Sequence, residues 1–249
     1  MLLIPGFMAD ETLWDGVLDA LAPFGPLVHA DLRPDSSIDA MAARALSAAL
    51  DAAPAGPLIV VGFSMGAYVA REVARELARQ EARKAAREPM QATPQRLRAL
   101  VLIATSSRAE SPALRRTKGA IAHADASVSF AGLSRAAVAS SLHPRERGND
   151  ALIERVRSMG VRLGGEVFRR QSMVQRPGDF DRLHEIRCPT LIVAAGHDGL
   201  RSIDEARELQ AGIAGATLTV IEDSGHMVPI EAPGQLASAM TGWLAQVLP

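Results

Sequence analysis

The sequence predicts an α/β fold: a mostly parallel sheet of about six strands flanked by helices, interrupted by a helical insertion. Three observations carry this. Short apolar runs bounded by turn residues alternate with longer segments of helical spacing, the pattern of a parallel sheet covered on both faces. Two of those runs, Leu58-Ile59-Val60-Val61 and Leu100-Val101-Leu102-Ile103, are apolar without alternation, which asks for burial of both faces. Across 107–185 the alternation stops, leaving helical stretches divided by Gly132, Pro144, Gly148, Gly164-Gly165 and Pro177-Gly178.

In order along the chain, strands are expected at 1–4, 26–30, 58–62, 97–104, 190–195 and 216–221, and helices between them at 11–21, 38–53, 65–84, 203–213 and 235–247. Pro233-Gly234 suits the start of the last helix, because proline is tolerated in a first turn and not in an interior. The third helix runs on into an Ala-rich charged stretch that Pro89 ends, where Glu76 and Arg79, or Lys84 and Glu88, are spaced to pair. Segment 79–96 reads as a solvated helix end and polar loop, with a partner surface as the alternative.

The chain thus divides into a core of 1–106 and 186–249 and an insertion of 79 residues at 107–185. The insertion holds 14 Lys plus Arg against 9 Asp plus Glu, a net +5, and the core is left with −6. Such an imbalance would steer an anionic small-molecule substrate toward a covered cleft, although arginines on helical faces are more often simply solvated.

Whole-chain arithmetic removes several classes. At 249 residues, 48% hydrophobic, the chain is long enough to bury a sizeable core. A net charge of −1 gives no electrostatic footprint for nucleic acid. Cys188, the single cysteine, can form neither an intramolecular disulfide nor a cysteine-based zinc site. No apolar run approaches the roughly 20 residues that span a bilayer, and Met1-Leu2-Leu3-Ile4 before Pro5-Gly6 lacks the features of a signal peptide. The expectation is a soluble cytoplasmic protein acting on a small molecule, without nucleic acid or membrane partners; the oligomeric state stays open.

The sharpest local signal is Gly62-Phe63-Ser64-Met65-Gly66, directly after one expected strand and directly before a helix. A G-x-S-x-G pentapeptide alone is weak, and a turn serine is its bland alternative. In this context a serine would sit on a strained strand-to-helix turn, its hydroxyl raised above the carboxyl end of the sheet, where open α/β sheets place their ligands. The N–H of Met65 would then face a developing oxyanion. A serine hydroxyl near pH 7 needs a general base and a group to orient it. Ser224-Gly225-His226-Met227 follows the last expected strand and offers His226; Gly196-His197-Asp198-Gly199 follows the one before and offers Asp198. The order Ser64, Asp198, His226 is the one expected when such a turn begins the triad. A second oxyanion donor is sought in Ile4-Pro5-Gly6-Phe7-Met8, where the Phe7 N–H would oppose that of Met65.

With these motifs in place, the chain resembles the α/β-hydrolase fold superfamily over essentially its whole length. Pro5-Gly6-Phe7 stands where that superfamily usually has a His-Gly-x motif, and Asp31-Leu32-Arg33 matches its frequent strand-end signature. The segment Ile186-Arg187-Cys188-Pro189-Thr190 resembles the approach to the acid strand, and 225–233 is similar to the histidine loop. The resemblance implies that 107–185 forms a helical cap and that Glu231 braces neighbouring loops. Two departures stand out. Pro5 replaces a histidine whose side chain often braces the loop, and members usually carry two strands ahead of the one at Met1, so either the sheet has about six strands or the start lies upstream.

The reading is a cofactor-free serine hydrolase of a small or medium ester, thioester or amide. Ser64, His226 and Asp198 are catalytic, and Phe7 and Met65 supply the oxyanion hole. Carbon–carbon bond hydrolases, lyases and perhydrolases on the same fold are alternatives, although Met227 fits the first two poorly. A non-catalytic receptor or partner-binding protein is the rival of another class. Asp223 competes as the acid, His197 reads as loop or pocket lining, and Cys188 as a small buried apolar residue. His123, His143 and His184 show no metal-ligand spacing, and neither a metal nor a nucleotide is implied.

Overall fold

The computed structural model describes residues 1–54, 56–88, 95–111, 116 and 130–248. His123, residues 89–94 of the charged segment, and 112–115 and 117–129 of the insertion lie outside that range. Six strands form one sheet: β1 (Leu2–Ile4), β2 (Val28–His29), β3 (Leu58–Phe63), β4 (Leu97–Ile103), β5 (Thr190–Ala195) and β6 (Thr217–Ile221). The order is β2-β1-β3-β4-β5-β6, and every pairing is parallel. Burial follows position in the sheet. The inner strands β1, β3 and β5 are buried throughout and β4 at all but Arg98, whereas the edge strands β2 and β6 are largely part-exposed.

Alternate residues of each strand feed two separate cores, as strand geometry demands. Leu3, Val61, Val101 and Val193 pack on one face with Trp14 and with Leu236, Met240 and Leu244 of the C-terminal helix. Leu2, Val60, Leu100 and Ile192 pack on the other with α2 (Ile38–Ala52), α3 (Met65–Arg87) and α6 (Ile203–Gly212). The helix starts are chemically specified. Ser37 accepts from the Ala40 N–H at the start of α2, and Ser202 with Glu205 forms a reciprocal capping box at α6. The final helix, α8, covers Pro233–Val247, following the single turn α7 (Val228–Glu231).

One expected helix is interrupted. The 11–21 stretch is a 3-10 turn at Glu11–Trp14 and then α1 (Leu18–Leu21). Between them Gly16 lies against Pro233, where an added Cβ would come within 2.6 Å of the proline ring. Docking on the C-terminal helix thus overrides local helical spacing.

Between β4 and β5 lie α4 (Arg135–Ser141), capped by Ser134, and α5 (Asp150–Ser172), capped by Asn149 and kinked at Gly164, where φ is 81°. The two ends of this connection meet: the Asp179 N–H donates to Ser107 O at 2.9 Å. There Arg71 and Arg75 of α3, both fully buried, converge on the Asp179 carboxylate, with Arg71 Nε and Nη2 at 2.8 and 2.9 Å and Arg75 Nη2 at 2.8 Å. Arg71 Nη2 also donates to Ser106 O at 3.0 Å. Burial pushes the Asp179 carboxyl up, but the two guanidiniums outweigh it and hold the group below its ordinary value near 3.8.

Removing this carboxylate would leave buried Arg71 without a carboxylate partner and Arg75 with Glu72, at 2.6 Å, as its remaining hydrogen-bonded one. Asp179→Ala is expected to cost about 3–5 kcal/mol, read as a fall in the urea midpoint at unchanged slope. A depressed folded-state pKa contributes stability above the unfolded value that is lost as pH falls through the folded one. The difference between wild type and variant should therefore shrink below about pH 4; a variant as stable as wild type at pH 7 would contradict the argument.

Candidate active site

Ser64 stands between β3 and α3 with φ 51° and ψ −112°, a left-handed backbone that costs a non-glycine residue about 1–3 kcal/mol. The surroundings hold it there. Its N–H donates to Ile103 O of β4 at 2.8 Å, and Thr105 Oγ1 donates to its carbonyl at 3.2 Å. The two flanking glycines make the turn feasible: a Cβ on Gly62 would lie 2.5 Å from Gly66 O, and one on Gly66 would collide with the Ile4 and Pro5 carbonyls. The motif spacing is thus a steric requirement of packing the helix start against β1 and β3.

The strands bring the other two residues to the same sheet edge. His226 Nε2 lies 2.9 Å from Ser64 Oγ, and His226 Nδ1 lies 2.8 Å from Asp198 Oδ2. The other oxygen of Asp198, Oδ1, accepts the N–H groups of Leu200 at 2.7 Å and Arg201 at 2.9 Å, so the carboxylate cannot swing away from the imidazole. His226 is itself fixed by its N–H, which donates to Ser141 O at 2.7 Å, and by the Phe63 ring, 5.2 Å between centroids. The rival acid Asp223 is exposed and pairs with Arg145 at 3.1 Å. His197 is exposed too, its ring edge-on to His143 at 4.3 Å. Cys188 is buried, which pushes its thiol up to about 11.

Glu231 ties the histidine loop to the insertion. Its carboxylate accepts from Gly225 at 3.2 Å, Met227 at 3.0 Å and, across the chain, His143 at 2.6 Å. Burial pushes this carboxyl up against the opposing pull of the three N–H donors.

Phe7 and Met65 both line the cavity that holds Ser64 and His226. Met65 opens α3, so its N–H belongs to the first-turn donors that have no intrahelical acceptor. The loop bearing Phe7 is braced from a direction the sequence did not suggest. Met8, at φ 53°, donates its N–H to Gln171 Oε1 of α5 at 2.9 Å, and Phe7 packs on Phe168 with ring centroids 5.9 Å apart. Arg162 of the same helix grips Asp10 at 2.7 and 3.0 Å. Gln171 thus holds the loop bearing Phe7 from α5. No local signal marks it, since the contact spans 163 residues.

The cavity encloses about 510 Å³. The core contributes Ser64, His226, Phe7 and Phe63; the insertion contributes Val138, Val156, Met159 and Phe168. Among the described residues of 107–185, Arg108, Arg135, Arg157, Arg162, Arg176 and Arg182 each pair with a carboxylate. Among the described residues, no three His, Cys, Asp or Glu side chains group as a metal site, and no helix is long and apolar enough to cross a membrane.

A parallel sheet with a strained serine after its third strand, an aspartate after its fifth and a histidine after its sixth is the arrangement of the α/β hydrolases. The solved structures agree on the fold. A thermophilic esterase from Thermogutta terrifontis, solved with malate bound, superposes with a TM-score of 0.81 at 23% identity, over 99% of this chain and 89% of its own. A hydrolase from Pseudomonas aeruginosa PA01 gives 0.75 at 22% identity, covering 97% and 88%. The enol-lactonase from Burkholderia xenovorans LB400 gives 0.75 at 18%, covering 98% and 90%. No curated protein matches the chain. The chain belongs to the alpha/beta hydrolase family, whose sequence profile matches residues 1–239, and by family it is a hydrolase.

Proposed function

We propose that the protein is a cofactor-free serine hydrolase that cleaves small or medium carboxylic esters through an acyl-enzyme on Ser64. The observation that carries this is the unbroken chain from Asp198 Oδ2 through His226 to Ser64 Oγ, at 2.8 and 2.9 Å, on the wall of an apolar cavity. Ser64 Oγ attacks the substrate carbonyl as His226 Nε2 takes its proton. Asp198 holds the tautomer that leaves Nε2 free to do so and stabilises the imidazolium. The N–H groups of Phe7 and Met65 bind the oxyanion. The imidazolium then protonates the leaving alkoxide, and a water activated by His226 releases the acid. Thioesters and amides suit the same steps. Segment 107–185 acts as the cap, shaping the acyl and alcohol subsites over a core of 1–106 and 186–249.

The test is labelling with a fluorophosphonate followed by peptide mass spectrometry. A single adduct on Ser64, with turnover across a series of p-nitrophenyl esters, is expected. Folded protein that neither reacts nor turns over esters would favour a binding protein on this scaffold.

The brace on the Phe7 loop makes its own prediction. Gln171→Leu keeps the side-chain bulk but leaves the buried Met8 N–H without its acceptor. Losing one oxyanion donor costs on the order of 10²–10³ in turnover, so displacing one should lower kcat by about 10- to 100-fold and move KM much less. Rates normalised to phosphonate-reactive sites would show this; a fall in KM affinity alone would contradict it.

A further inference from the structure

The cavity wall carries no Asp or Glu among the described residues, and its charged side chains are Arg176 and Arg201. The two differ in kind. Arg176 is engaged: its Nε donates to Glu110 at 2.6 Å, with both side chains nearly buried. Arg201 is not. Its Nη1 lies 3.6 Å from Glu205 Oε1, beyond hydrogen-bond length, while the other oxygen of that carboxylate, Oε2, takes the Ser202 N–H at 2.7 Å. The Arg201 Nε is buried and has no hydrogen-bond acceptor at all. Its main chain, by contrast, is held firmly, since its N–H donates to Asp198 Oδ1. Arg201 is thus held by its main chain beside Ser64 and His226, with a guanidinium that makes a loose ion pair and no side-chain hydrogen bond, on the wall of a largely apolar cavity where a charge acts more strongly than in water.

We propose that Arg201 receives a carboxylate on the substrate, so that the preferred esters are those bearing a free carboxylate a few carbons from the scissile bond. A guanidinium offers paired N–H groups in the geometry that a carboxylate accepts; among the described residues no acidic side chain lines the cavity, and Glu205, outside the lining, makes only the long contact to Nη1. This rests on the serine-hydrolase reading and narrows its substrate class. It also locates the positive charge in the core, on the acid loop, and not in the insertion.

The test compares two matched pairs of esters: monomethyl adipate against methyl hexanoate for a carboxylate on the acyl side, and 4-acetoxybutanoate against butyl acetate for one on the alcohol side. Wild type should prefer the anionic member of at least one pair. In Arg201→Gln that ratio of kcat/KM should fall by about 30-fold, chiefly through KM, because a charge-assisted hydrogen bond is removed. Arg201→Lys should keep part of the ratio, and added salt should erode it in wild type without any variant. An unchanged ratio in Arg201→Gln, or no anionic preference in either pair, would overturn the proposal while leaving the hydrolase reading intact. If wild type cleaved none of the four esters and Ser64 failed to react with fluorophosphonate, the reading beneath it would fall as well.

Discussion

Ser64→Ala is expected to lower the turnover of an activated aryl ester by on the order of 10⁶, since a triad that loses its nucleophile keeps only the contributions of binding and the oxyanion hole. The substitution is clean because it removes one atom. Alanine meets the same backbone strain at φ 51° as serine, and the main-chain bonds to Ile103 and Thr105 do not involve Oγ. The Asp198–His226 pair also survives, so the melting temperature should stay within a few degrees and the loss should fall on kcat. Initial rates on matched, folded samples decide the matter. A variant that retained wild-type esterase activity would remove Ser64 from the chemistry altogether.

Asp198→Asn should cost about 10⁴ in kcat/KM, and the structure says why so small a change matters. Oδ1 is already committed to the Leu200 and Arg201 N–H groups, so an asparagine would leave its carbonyl oxygen there and turn its NH2 toward His226 Nδ1. That forces Nδ1 to accept and puts the ring proton on Nε2, the atom that must take the serine proton. Asp223→Asn is the control. It alters an exposed carboxylate paired with Arg145 on the surface, and activity should stay within about 2-fold. Loss of activity at position 223 with retention at 198 would reverse the assignment of the acid.

The elements that place the triad were readable because each is locally determined. Apolar runs at 58–61 and 100–103 can only be doubly buried strands, and a serine flanked by glycines between strand and helix leaves few geometries open. The loops bearing Asp198 and His226 were read from the residues directly after the last two strands and from the order serine, acid, histidine. What stayed hidden depends on residues far apart in sequence. The break within 11–21 is imposed by Pro233, and the Met8 brace comes from Gln171. Nothing in the pattern around Asp179 announces that two arginines more than 100 residues earlier will close on it. A charge count could register the surplus in the insertion, yet could not tell an arginine clasped by glutamate from one with open donors.

The clasp between Ser107 and Asp179 has a consequence for how such a chain can diversify. Its two ends are pinned to each other and to α3 by groups that belong to the sheet side of the molecule. The intervening residues therefore form a closed loop whose length affects stability only slowly, through a logarithmic closure entropy. Stretches between the pins that do not touch the loops of the sheet can lengthen or shorten, whereas Ser141, His143, Arg162 and Gln171 hold the histidine loop and the Phe7 loop and must keep their places. Variation in this stretch is therefore tolerated where those four contacts are left in place, and a change that removes one of them would reach the loops on the sheet edge as well.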